Sequence, residues 1–177
     1  MNEKKLYVVV DMQNDFIGGA LGSKEAQAIV PLLAERVKEY PNVIYTLDTH
    51  GEDYLSTQEG RKLPVAHCIL GTDGHKLVKE LEELSAGKLK VTKGAFGSVE
   101  LAQKIKRDFD GGLIQEVVLA GVCTDICVVS NAMLIKAFCP EIPIAVDADC
   151  CAGTTPENHQ KALDVMGICH VEIREIR

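Results

Sequence analysis

Residues 117–138, VVLAGVCTDICVVSNAMLIKAF, decide how the rest of the chain is read. Val117–Ala120 is a short, β-branched apolar run, the pattern of a strand buried on both faces. GVCTDIC at 121–127 follows it and runs into a helix read over Asp125–Phe138. The same alternation continues on both sides of this stretch. Strands are expected at Leu6–Val10, Val43–Leu47, Lys88–Thr92, Ile144–Val146 and Val171–Ile173. Helices are expected at Ser23–Tyr40, Lys76–Leu84, Ser98–Phe109 and Pro156–Met166. Ser98 fits an N-cap with Glu100 as acid in the first turn, and Pro156 fits a helix start. Strands alternating with helices imply right-handed βαβ crossovers. The expected fold class is therefore α/β: one three-layer α/β/α domain over residues 1–177, built on a six-stranded, mainly parallel sheet.

Bulk properties fit this reading. The 177 residues are enough for one sizeable core. The net charge of −7 is spread over mixed acidic and basic residues, which argues against nucleic acid or an anionic membrane as partner. No run approaches the ~20 apolar residues of a membrane span. The first apolar run, LYVVV at 6–10, is too short for a signal-peptide core. The seven cysteines are an odd count with no export signal before them, so a reduced cytoplasm is the expected location.

In open α/β sheets, ligands bind outside the carboxyl ends of the strands. Asp11 lies just past the first strand, Asp48 and His50 past the second, Lys93 past the third, and the GVCTDIC turn past the fourth. Cys127 sits about one turn into its helix, where free backbone N–H groups and a nearby Lys93 would favour thiolate. Asp11 could take the thiol proton and later deliver it to a leaving amine. N–H groups near Cys123 and Cys127 could hold an oxyanion. These parts suit attack on an amide carbonyl. Taken singly they have plainer readings: Cys127 as a small buried hydrophobe, Asp11 as a loop cap, Lys93 as a solvated strand end. Asp48-Thr-His50, with Glu59 and His67 in the long irregular stretch that follows, could hold Zn²⁺, Fe²⁺ or Mn²⁺, or could be ordinary loop residues.

Three ordered motifs carry a family resemblance. YVVVDMQNDF at 7–16, KGAFGS at 93–98 and LAGVCTDICV at 119–128 resemble segments of the isochorismatase-like cysteine hydrolases, the group that contains the nicotinamidases. ENHQKAL at 157–163 is similar to that family's last helix, so the likeness covers nearly the whole chain. The resemblance implies a catalytic triad of Asp11, Lys93 and Cys127. It also implies a cis peptide between Val122 and Cys123 that aims an oxyanion hole. A cysteine at 127 favours amide over vinyl-ether hydrolysis. The resemblance further implies a divalent metal, zinc first, on Asp48, His50, His67 and Glu59, with Leu63 standing where relatives carry an aromatic residue. Phe16 and Phe96 are candidates to flank a flat ring, or are core residues. The expected activity is that of a nicotinamidase, with a small-molecule amide as partner and a dimer or tetramer as assembly. Two other readings stand: a metal-independent relative acting on a carbamoyl or ureido group or another small amide, and a non-catalytic or redox-sensing thiol protein. Cys150-Cys151 reads as a loop pair after the fifth strand. His75 and His159 show no partner pattern.

Overall fold

A computed structural model describes residues 2–175. The strands are β1 (Lys5–Val10), β2 (Asn42–Asp48), β3 (Leu89–Lys93), β4 (Glu116–Val122), β5 (Ile144–Ala152) and β6 (Glu172–Arg174). They form one sheet in the order β3-β2-β1-β4-β5-β6, and every neighbouring pair is parallel. The four longer helices are α1 (Lys24–Val37), α2 (Val99–Asp110), α3 (Val129–Phe138) and α4 (Pro156–Ile168).

Burial follows the sequence pattern. Leu6 to Val10 are all buried, as a central parallel strand covered on both faces requires. Ala26, Ile29, Val30, Leu33, Ala34 and Val37 form the buried stripe of α1, at the three-and-four spacing of one helix face. Side-chain caps start three helices: Ser23 accepts from Ala26 N, Ser98 from Leu101 N and Thr155 from Asn158 N. The chain lays β2 and β3 to one side of β1, then returns to place β4, β5 and β6 on the other. This reversal puts the topological switch point between β1 and β4, where open α/β sheets bind ligands.

Three local expectations differ from the structure. Of Lys76–Leu84, only Lys79–Glu82 is helical. Leu77 bridges Gln13, and Val78 N donates to Met12 O at 3.0 Å, so pairing with the segment after β1 overrides local helix preference. The fifth strand runs on to Ala152 rather than ending at Val146, because the fully buried Asp147 is hydrogen-bonded inside the fold. Cys150 and Cys151 therefore lie in β5, buried, and not in a loop. The helix expected from Asp125 begins as a π-helical turn over Thr124–Val128 before α3.

Candidate active site

The carboxyl ends of β1, β2, β3 and β4 bring the sequence-selected residues together. Asp11 ends β1 with a positive φ of 51°, a conformation that aspartate tolerates better than most residues. Beside it in β4, Gly121 has φ 123°, and a Cβ there would fall 2.1 Å from the Val10 carbonyl oxygen. Only glycine lets the two strands approach this closely. The next peptide, Val122–Cys123, is cis, and the turn carrying Cys127 follows.

Lys93 is the hub. Its Nζ lies 2.6 Å from Asp11 Oδ2 and 3.2 Å from Asp48 Oδ1, and it donates to Cys127 Sγ at 3.4 Å. The Asp11 side chain is fully buried and accepts a further bond from Thr46 Oγ1 at 2.6 Å. Burial pushes the Asp11 carboxyl above its usual range, against the lowering effect of Lys93. Burial, and then the Asp11 charge, push the Cys127 thiol well up, while Lys93 pulls the other way. This direction runs against the thiolate expected from the helix start. Burial works against the Lys93 charge, but Asp11, Cys127 and Asp48 together hold the ammonium firmly protonated.

A second cluster adjoins the first through Asp48. One ligand atom from each of Asp48, His50, Glu59 and His67 lies within 4.8 Å of all the others. His50 Nε2 is 2.9 Å from Asp48 Oδ2, and His67 Nε2 is 3.5 Å from the same oxygen. His67 Nδ1 bonds the Val65 carbonyl at 2.8 Å, which commits that nitrogen as donor and turns Nε2 toward the cluster. Burial pushes the Asp48 carboxyl up, but His67, Lys93 and His50 outweigh it and hold the group below its usual range. Two imidazoles and two carboxylates converging at this spacing are a donor set for a zinc-like divalent cation.

A cavity of about 350 Å³ joins the two clusters. Cys127, Cys123 and Val122 line one part of it, and Asp48, Glu59 and His67 another. Phe16, whose ring centroid is 5.4 Å from that of His67, and the half-exposed Phe96 form walls, as does Leu63. Lys93 and His50 do not line this cavity but contact Cys127 and Asp48, which do, and Asp11 meets Lys93.

Other residues of the site were not singled out in the sequence. Gln13, fully buried, clamps Asp48 by accepting from its N–H at 2.7 Å and donating to its carbonyl at 2.9 Å. Tyr54 packs against both His50 and His67, with ring centroids 4.6 and 4.9 Å away. His75 and His159 do have partners: His75 Nε2 is 2.9 Å from Thr49 Oγ1, and His159 Nδ1 is 2.8 Å from Thr124 Oγ1. Gln13 lies inside the YVVVDMQNDF segment, two residues beyond Asp11, but was given no role there.

A parallel sheet with a cysteine, an acid and a lysine at its switch point is the architecture of an isochorismatase-like hydrolase. The isochorismatase domain matches residues 5–174, and the chain belongs to that family. It is 31% identical over 176 residues to the uncharacterised isochorismatase family protein PncA of Bacillus subtilis, with 90% of this chain and 92% of that protein covered. The crystal structure of pyrazinamidase of Pyrococcus horikoshii in complex with zinc superposes with a TM-score of 0.81 at 30% identity, covering 98% of this chain and 99% of that one. The N-carbamoylsarcosine amidase from Thermoplasma acidophilum superposes with a TM-score of 0.75 at 29% identity, covering 97% and 96%. Among the described residues, no helix is long and apolar enough to cross a membrane.

Proposed function

We propose that this chain is a cysteine amidohydrolase that converts nicotinamide and water to nicotinate and ammonia through a Cys127 thioester. The observation that carries this reading is the Lys93 ammonium, held within reach of Asp11, Asp48 and Cys127 Sγ at once. A buried cation spanning an acid, a thiol and a metal-type carboxylate serves catalysis better than it serves stability, because each buried charge costs desolvation.

The residues divide the work as follows. Asp11 takes the proton from Cys127 Sγ, and the thiolate attacks the amide carbonyl carbon. Lys93 stays protonated and balances the negative charge shared by Asp11 and Sγ. Backbone N–H groups of Cys123 and Cys127, at the start of a helical turn, receive the oxyanion. Asp11 returns its proton to the amide nitrogen, the C–N bond breaks, and ammonia leaves. Water then attacks the thioester, giving a proton to Asp11, which passes it back to Sγ as the acid is released. Asp48, His50, Glu59 and His67 would hold a divalent cation, zinc first with iron or manganese as the alternatives, and when bound it supplies a Lewis acid for the pyridine nitrogen. Phe16 and Phe96 flank the ring, which keeps the carbonyl oriented toward Sγ.

Ammonia release from nicotinamide tests this reading. The native protein is expected to release it, and the Cys127→Ala variant, folded to the same melting temperature, is expected not to. Equal release from both would sink the nucleophile.

A second reading, hydrolysis of a carbamoyl or ureido group without metal, draws on Leu63 at the cavity wall and on the likeness to the carbamoylsarcosine amidase. The four-residue donor cluster weighs against it. Metal content of the isolated protein, measured beside a panel of small amides, separates the two. The third reading, a redox-sensing thiol, fits poorly with a thiol that is only 5% exposed and pushed well above its ordinary pKa.

A further inference from the structure

Asn131 is fully buried in the first turns of α3, one helical turn beyond Cys127. Its side-chain amide has three partners. Nδ2 donates to the Cys127 carbonyl at 2.8 Å and to the Phe96 carbonyl at 3.2 Å, and Oδ1 accepts from Ser98 N at 2.9 Å. Two of these partners belong to the segment that leads from Lys93 at the end of β3 to the N-cap of α2. A second contact pins the same segment. A Cβ on Gly97 would lie 2.4 Å from Leu134 Cδ1 and 3.4 Å from the Ser130 carbonyl, so the bare glycine backbone rests directly on α3.

This arrangement has a chemical consequence. Phe96 is 47% exposed and lines the cavity, so few packing contacts of its own fix its ring. Its placement is inherited from its backbone, and that backbone is registered to the helix that carries the nucleophile. An amide side chain suits this task, since it offers two donors and an acceptor in one plane. A hydrophobe of equal size would take these partners from the Phe96 and Cys127 carbonyls and from the buried Ser98 N–H.

We infer that Asn131 is a positioning residue that sets the Phe96 wall of the cavity against the Cys127 turn, and so fixes how tightly the substrate ring is held. This inference rests on the amidohydrolase reading for its kinetic consequence and on hydrogen bonding alone for its structural one, so the experiment has two arms.

The structural arm is amide hydrogen exchange, read by mass spectrometry over residues 94–101 of the full chain. Exchange at Ser98 is expected to be slow in the native protein and at least tenfold faster in Asn131→Ala, with the strands of the sheet unchanged. Equal protection at Ser98 in both proteins overturns the inference, whatever the activity. Should Asn131→Ala fail to fold, Asn131→Asp is the substitute; it keeps the acceptor for Ser98 but loses both donors, and faster exchange at Phe96 and Gly97 is then expected.

The kinetic arm is a double-mutant cycle on nicotinamide hydrolysis. Phe96→Ala and Asn131→Ala are each expected to raise KM about fivefold to tenfold. In the Phe96→Ala background, Asn131→Ala is expected to add no further rise in KM, because the ring it positions is gone. Rises that multiply would show that Asn131 does not act through Phe96, and would overturn the inference. A purely structural residue would lower the active fraction without moving KM. If the native protein releases no ammonia from nicotinamide, the amidohydrolase reading falls and the exchange arm still decides the role of Asn131.

Discussion

Two fully buried carboxylates, Asp11 and Asp147, each meet a cation beside β1. At its carboxyl end Lys93 meets Asp11 at 2.6 Å. Further back along the strand, Arg36 Nε from α1 meets Asp147 Oδ2 at 2.9 Å, with the Tyr7 hydroxyl donating to the same oxygen at 3.1 Å. Both carboxylates are fully buried, and both are answered by one cation and one hydroxyl. Yet only the first pair opens toward a cavity and a thiol. The second is sealed by Tyr7 and Tyr40, whose rings stack at 4.5 Å, with Arg36 lying over Tyr40. Buried charge alone therefore does not mark a reactive site. What marks it is a charge shared among groups that could exchange a proton, beside space for a substrate.

Removing one group from each pair breaks this comparison most sharply. Asp11→Asn is expected to lower kcat for ammonia release by on the order of 1,000-fold or more, since no other group beside the thiol can take its proton. Its unfolding free energy should change less, because Lys93 keeps Asp48 at 3.2 Å. Arg36→Met reverses the pattern. It strands Asp147 and should cost about 3 kcal/mol in urea unfolding, with kcat per folded molecule unchanged. A tenfold fall in that kcat would erase the distinction between the two pairs.

The donor cluster sharpens the picture. His67→Ala is expected to hold less divalent metal than the native protein by elemental analysis, and to raise KM on the order of tenfold. Cys127 alkylation by iodoacetamide should stay near the native rate, because His67 does not contact the thiol.

Titration separates the two regions again. Burial raises both Asp11 and Cys127, and activity needs one proton on the pair: on sulfur before attack, and on Asp11 as ammonia leaves. The acid limb of kcat/KM should thus lie above the ordinary carboxylate value near 4, and the alkaline limb above the ordinary thiol value near 8.5. Tyr7 and the structural thiols affect stability instead. Burial pushes Tyr7 well up, Cys150 to about 11 and Cys123 to about 12. A folded pKa above the unfolded one gives stability that is complete below the unfolded value and lost as pH rises through the gap. Melting temperatures should therefore fall from about pH 9 upward, and the fall should be smaller in Tyr7→Phe. The smallest effect expected is for Phe16→Leu, a rise in KM of about fivefold, the worth of one aromatic edge contact.

How much of this was legible in the sequence follows from the kinds of force involved. All six strands and the longer helices were read, with burial on both faces leaving apolar runs in β1, β2 and β4 and burial on one face leaving a helical stripe. β5 was cut short because Asp147 and Asp149 interrupt its run, and the partner that makes Asp147 tolerable, Arg36, comes from a distant helix. Lys76–Leu84 has a helical charge pattern, but Leu77 and Val78 are held by residues after β1, a contact that local preference cannot register. That Asp11, Lys93 and Cys127 would lie together was legible because parallel topology sends every strand end to one edge. Thr46, Gln13 and Asn131 were not. Each is a lone polar residue whose partners are fixed only once strands and loops are in place.

The strand order has a further consequence for how the chain is made. β1 lies in the middle of the sheet but precedes the other described strands in the chain, and its neighbour β4 follows β2 and β3. Until β4 arrives, one edge of β1 has no partner, and Asp11 has neither its thiol nor a closed cavity. Parallel pairings between distant segments form slowly, and open strand edges invite association with other chains. A nascent chain stopped before residue 116 should be inert and prone to aggregate. In this molecule the appearance of a reactive site and the loss of a sticky edge are the same event.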